Sequence, residues 1–160
     1  MDLVLKIISE TSGVEVKPDL TSSPPCIGIS PKKILEVCSQ LHRDPQVFFD
    51  MLSCLTGVDN GPEANTMEVI YNLYSIPFNQ HLMLKVVLPR ENPEIDSVAS
   101  VWATANWHER EAFDMLGIKF NNHPDLRRIL LPADWEGFPL RKDYQHQEKY
   151  RGIIVEHHNK

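Results

Sequence analysis

Between Met67 and Leu88 the chain alternates apolar and more polar residues twice. Met67, Val69, Tyr71 and Leu73 form one run and Leu82, Leu84, Val86 and Leu88 the next, with a short connection at residues 77–80 between them. A period of two sends successive side chains to opposite faces of a strand, so each run turns one face to a core. So short a connection makes the pair an antiparallel hairpin, and the rest of the fold has to be built around it.

The flanking segments supply helices and short strands. Leu3, Val4, Ile7 and Ile8 have helical spacing with Gly13 placed to end the helix, and residues 14–17 follow as a short strand candidate. A Pro- and Ser-rich turn at 21–25 leads to a strand at 26–29, after which Ser30-Pro31 gives an N-cap with proline at the first helical position, opening a helix to about His42. Asp44-Pro45 repeats the device. It predicts a second helix that carries Phe48, Phe49, Leu52 and Leu55 and ends near Gly57. Ser97 is placed to cap a short helical segment before Trp102. Helices and strands are mixed without regular alternation, which predicts an α+β fold: helices packed on a small, mostly antiparallel or mixed sheet. At 160 residues and 42% hydrophobic content the chain suits one core. Residues 1–120 are expected to form the α+β domain, and residues 121–160 an extended, proline-punctuated arm and tail belonging to the same unit. There is no internal repeat or low-complexity tract.

The stretch from Trp107 to Tyr144 has two characters. Its first part reads as a helix with Asn106 at the N-cap, Glu109 reaching back in a capping box, and Gly117 at the end. On that helix Ala112, Phe113, Met115 and Leu116 share one side, and Trp107, Arg110, Glu111 and Asp114 make a charged stripe on the other, with Arg110 and Asp114 spaced for an i,i+4 pair. Beyond it Pro124, Pro132 and Pro139 exclude a long helix, since each removes a backbone donor and restricts its predecessor. This arm interleaves Arg127, Arg128, Arg141 and Lys142 with Trp135, Phe138 and Tyr144, a composition suited to an interface. It must lie on something, a partner or its own domain. Residues 1–118 carry 8 basic and 16 acidic side chains, and residues 119–160 carry 8 and 6, so the net charge of -6 divides into -8 and +2. The basic character belongs to the arm.

Several chemistries are excluded. His108-Glu109 begins a zinc-protease motif, but position 112 is alanine where the second histidine must stand. His108, His123, His157 and His158 have no ligand spacing, and Cys26, Cys38 and Cys54 lack any CxxC pair, reading as reduced core thiols in a reducing compartment. No glycine loop resembles a dinucleotide or phosphate cradle, and no nucleophile has a base at readable spacing. Acidic residues Asp125, Asp134, Glu136 and Asp143 break up the arm's positive field, which argues against a nucleic-acid-binding module. No apolar run reaches the length of a membrane span, and the first ten residues lack the features of a signal peptide.

The run His108-Glu109-Arg110-Glu111, then Phe113-Asp114-Met115-Leu116-Gly117-Ile118, HPDLRRILLP and GFPLRKDY, resembles the signature of the C-type (30 kDa-type) subunit of the respiratory NADH:quinone oxidoreductase, complex I. The resemblance is close over residues 67–144 and looser from residue 26. Leu116, Ala133 and Phe138 are departures from the commoner residues at their positions. The resemblance implies a non-catalytic scaffold in the peripheral arm, on the cytoplasmic side of the bacterial inner membrane and attached to it only through partners. It implies no cofactor in this chain, with FMN, iron-sulfur clusters and quinone held by partner subunits. The partners implied are the D-type quinone-site subunit and the B-type and I-type iron-sulfur subunits, and no nucleic acid. The residues it marks as partner interface are Arg110, Glu111, Asp114, His123, Arg127, Arg128, Trp135, Phe138, Arg141, Lys142 and Tyr144, with no catalytic, cofactor-binding or metal-ligating residue. The same scaffold serves related assemblies, a membrane-bound hydrogenase or a ferredoxin- or coenzyme-fed quinone reductase, and nothing in the chain separates these alternatives.

Overall fold

The computed structural model describes residues 1–19 and 21–155. The hairpin read from the alternation is its centre. Strands β4 (Thr66–Ser75) and β5 (Gln80–Pro89) pair antiparallel in unbroken register from Thr66 opposite Pro89 to Ser75 opposite Gln80. Their inward sets, Met67, Val69, Tyr71 and Leu73 with Leu82, Leu84, Val86 and Leu88, are all fully buried. Strand β3 (Met51–Asp59) lies antiparallel along the far side of β4. On the near side β2 (Cys26–Gly28) runs parallel to β5, and the short β1 (Pro18–Asp19) closes the order β1-β2-β5-β4-β3. The sheet is mixed, as the sequence predicts.

Helices α1 (Asp2–Ser12) and α2 (Ile34–Arg43) add Val4, Ile7 and Ile8, and Ile34, Val37, Cys38 and Leu41, to the same core. Gly13 ends α1 at φ 73, and the Ser30-Pro31 entry takes one 3-10 turn before α2. Helix α3 (Ala105–Leu116) packs on β3 and is bracketed by two strands, β6 (Glu94–Asp96) and β7 (Lys119–Asn121), which pair parallel. A last small ladder, β8 (Lys149–Tyr150) with β9 (Ile153–Ile154), follows the arm.

Two expectations fail. Residues 45–57 do not form a helix: Asp44-Pro45 opens a turn, Phe48 sits at φ 29, and β3 begins at Met51. A β-bulge explains the misreading. The register slips by one residue between Leu52 and Cys54, so Leu52 and Leu55, three apart, both face the core and imitate helical spacing. Gly57 ends nothing. It lies under α3, where an added Cβ would stand 2.5 Å from Leu116 Cδ1 and 2.8 Å from Ile118 Cδ1. The strand expected at residues 14–17 is displaced to Pro18–Asp19, where pairing with β2 is available.

Candidate functional site

Helix α3 starts two residues earlier than its sequence suggests, with Thr104 at the N-cap and no side-chain cap. Asn106 is therefore inside the first turn, and Glu109 does not reach back along its own helix. It is fully buried and turns to the loop after β6, where Ser97 Oγ donates to Oε2 at 2.5 Å and the Val98 N–H donates to Oε1 at 2.7 Å. Ser97 Oγ in turn accepts the Ala99 N–H at 3.1 Å, so the segment before Trp102 is a hydroxyl-capped turn in place of a helix. Burial raises the Glu109 carboxyl to about 7, although the Ser97 and Val98 donors pull the other way. The side chain of His123 lies over it: Nε2 stands 3.8 Å from Glu109 Oε2, with both side chains out of solvent.

The charged stripe of α3 is covered by the arm of the same chain. The two residues spaced for an i,i+4 pair part company. Arg110 donates from Nε to the Arg127 carbonyl at 3.2 Å and from a terminal nitrogen to the Arg128 carbonyl at 3.3 Å. Asp114, fully buried, is paired with Arg128 at 2.8 Å, and its Oδ2 accepts the N–H groups of Ile129, Leu130 and Leu131 at 2.7 to 2.9 Å. Desolvation pushes the Asp114 carboxyl up, but the three amides and Arg128 outweigh it, and the net shift is downward. One carboxylate thus satisfies three successive amides that a proline-broken segment could not pair within itself. Arg128 continues to the carbonyls of Trp135 and Gly137, each at 3.0 Å.

Phe138 sits between two guanidinium groups, Arg128 at 5.4 Å and Arg141 at 4.9 Å from its ring centroid. Its ring edge is 2.6 Å from where a Cβ on Gly117 would stand, and Gly117 has φ 76, so the helix end needs glycine for its backbone and for the ring it receives. Arg141 Nε donates to the Leu116 carbonyl at 2.8 Å, taking one of the unpaired acceptors at the end of α3. Trp135, Tyr144 and Tyr150 pack together further along, with the Trp135 indole donating to the Tyr144 hydroxyl at 3.1 Å.

No motif announces a second clamp that the structure contains. Arg90 holds Asp59 through two bonds, 2.7 and 3.0 Å, and also pairs with Asp143 of the arm. Asp59 further accepts the Lys142 N–H at 2.8 Å and the Gly61 N–H at 3.0 Å. Hydrogen bonding to Arg90 is the main reason the Asp59 carboxyl lies far below the usual range, outweighing the opposing effect of its burial. A signal was present. Arg90 continues the inward series Leu82, Leu84, Val86, Leu88, and a charge at an inward parity position asks for a buried partner.

Of the expected interface residues, Arg110, Asp114, Arg128, Phe138, Arg141 and Tyr144 are thus engaged within the chain, and His123 covers Glu109. Glu111, Arg127 and Lys142 are exposed, with Arg127 paired to Asp125 at 2.8 Å. Large apolar side chains stand out beside them: Trp107 is 61%, Leu130 63% and Leu140 60% exposed. Cys26, Cys38 and Cys54 are free thiols, the first two buried. His157 and His158 lie outside the described residues, and among those described no group of three His, Cys, Asp or Glu side chains gathers as a metal would require. The candidate site is a helix, the arm strapped over it, and the surface the two present together.

Residues 27–150 match the protein family described as the 30 kDa subunit of respiratory-chain NADH dehydrogenase. The chain belongs to that family. It is 51% identical over 116 residues to the C-type subunit of the NADH-quinone oxidoreductase of Chloroherpeton thalassium, a match covering 72% of this chain and 48% of the relative. To the corresponding subunit of Geobacter sulfurreducens it is 44% identical over 133 residues, covering 80% of this chain and 81% of the other. The chain therefore spans about half the length of the Chloroherpeton relative and most of the Geobacter one. The fold also recurs at 20% identity and a TM-score of 0.74 in a chain of the membrane-bound sulfane sulfur reductase, an archaeal respiratory membrane complex, covering 90% of this chain and 85% of that one.

Proposed function

We propose that the protein is a non-catalytic scaffold subunit of a proton-translocating NADH:quinone oxidoreductase, holding the quinone-site and iron-sulfur subunits in register while electrons pass from NADH to quinone. Family membership supports the assembly, and one structural observation supports the scaffold role. The arm is fixed to α3 by the Arg128–Asp114 ion pair and to the sheet by the Arg90–Asp143 pair and the Lys142 N–H on Asp59, so α3 and the arm form one firm surface on which Trp107, Glu111, Arg127, Leu130 and Leu140 face outward. Aromatic and arginine side chains on a rigid support are the groups that anchor protein interfaces. In this reading the buried arginine pairs act on partners indirectly, by fixing the arm, and residues 1–120 and 121–160 dock as one unit. The partners are the D-type subunit and the B-type and I-type iron-sulfur subunits; FMN, clusters and quinone belong to the partners. No helix among the described residues is long and apolar enough to cross a membrane. Attachment to the cytoplasmic face of the bacterial inner membrane through partners fits that.

The fold shared with a chain of the sulfane sulfur reductase supports a second reading, the same scaffold in a related assembly with a different electron-input module. Purifying the native assembly through a tag on this chain decides between them. Co-migrating flavin- and NADH-binding subunits support the first, and a hydrogenase-type large subunit with nickel ligands or a ferredoxin-fed module the second. The interface reading predicts that Trp107→Ala lowers recovery of assembled complex several-fold while leaving the free chain's unfolding midpoint unchanged. Full assembly of that variant would remove Trp107 from the interface.

A further inference from the structure

Backbone groups hold His123 on both sides of its ring. The Asp125 N–H donates to Nδ1 at 2.9 Å, so that nitrogen carries no proton, and Nε2 donates to the Asn106 carbonyl at 3.1 Å. The docked ring therefore offers Glu109 no positive charge, although it lies 3.8 Å away and seals the carboxyl from water. The other ionisable groups around Glu109 are acids: the Cys38 thiol of α2, the Tyr71 hydroxyl of β4, buried without a hydrogen-bond partner, and beyond them Asp96 of β6. Within α3, Arg110 is committed to the Arg127 and Arg128 carbonyls, and Asp114 to Arg128. On the arm's root the charged side chains Asp125 and Arg127 are exposed and paired with each other at 2.8 Å. An ionised Glu109 would be a buried charge with two donors and no cation, while a protonated one fits a site of neutral groups.

We propose that docking of the arm's root on α3 is coupled to a proton on Glu109: the root closes when His123 covers a neutral carboxyl and opens when the carboxyl ionises. The proton balance is simple. Opening admits water to Glu109, which gives its proton to solvent, and closing takes one proton back. The arm that carries the interface is thereby made sensitive to local proton activity at its first turn.

The test is amide exchange of the full chain between pH 5 and 7, read at Val98, whose buried N–H is bonded to Glu109 beneath His123. Once the intrinsic pH dependence of exchange is removed, protection of this amide should fall about tenfold per pH unit in the wild type and stay level in Glu109→Gln, which keeps the shape without the charge. Equal slopes in the two proteins, or no slope in the wild type, would overturn the coupling. Should the variant not fold, carboxyl NMR of the wild type gives the same decision. A Glu109 titration whose midpoint coincides with the loss of Val98 protection supports the latch, and two separate midpoints exclude it.

Discussion

At the scale of single residues, the two carboxylates of α3 behave in opposite ways because of what each is given. Asp114 and Glu109 are both fully buried, little more than one turn apart. Asp114 receives three amides and a guanidinium and stays ionised; Glu109 receives one hydroxyl and one amide and is pushed up to about 7. Removing Asp114 leaves Arg128 without its counter-ion and three amides without an acceptor, so Asp114→Ala should destabilise the chain by about 3 to 5 kcal/mol, measured by urea unfolding. Glu109 imposes a pH dependence of definite sign. Its carboxyl lies above the 4.5 of an unfolded glutamate, so its stabilising share is complete below about pH 4.5 and is lost as pH rises through about 7. The stability of Glu109→Gln relative to wild type should therefore increase across that window, by a total on the order of 3 kcal/mol. A constant difference would show that Glu109 titrates alike in both states.

At the scale of elements, the β3–α3 contact depends on absence. Gly57 leaves room for Leu116 and Ile118 to lie directly on the strand, and Gly57→Ala would put a methyl group into both. We expect a loss of about 1 to 3 kcal/mol, with exchange protection falling along α3 and β3 ahead of the β4–β5 hairpin. That element also marks the limit of what was legible. The hairpin could be read because alternation over two long runs has one structural solution, and the helix ends at Gly13 and Gly117 because only glycine adopts their backbone cheaply. The bulged strand could not. A single inserted residue puts positions three apart on one face, and the Asp44-Pro45 signal for a helix start is equally a signal for a turn. The stripe on α3 was legible as charge but its destination was not. Periodicity says which side of a helix a residue occupies, and what covers that side depends on contacts from residues 14 to 18 positions away.

At the scale of the whole molecule, the arm is joined to the body in two places. One is near, where α3 meets residues 123–131 and, at its C-terminal end, residues 138–141; the other is far, where Lys142 and Asp143 reach Asp59 and Arg90 across 83 and 53 residues of chain. The far clamp has a consequence for the time course of folding. Contacts of long sequence separation carry a large loop-closure cost and form late unless they belong to the nucleus, which the hairpin and its neighbouring helices can build without the arm. Asp143→Asn should therefore raise the unfolding rate and leave the refolding rate nearly unchanged, the pattern of an interaction absent from the transition state, in stopped-flow experiments across a denaturant series. In a growing polypeptide the same ordering means that the body can be complete before Asp143 has left the ribosome, and the strap is drawn across it last.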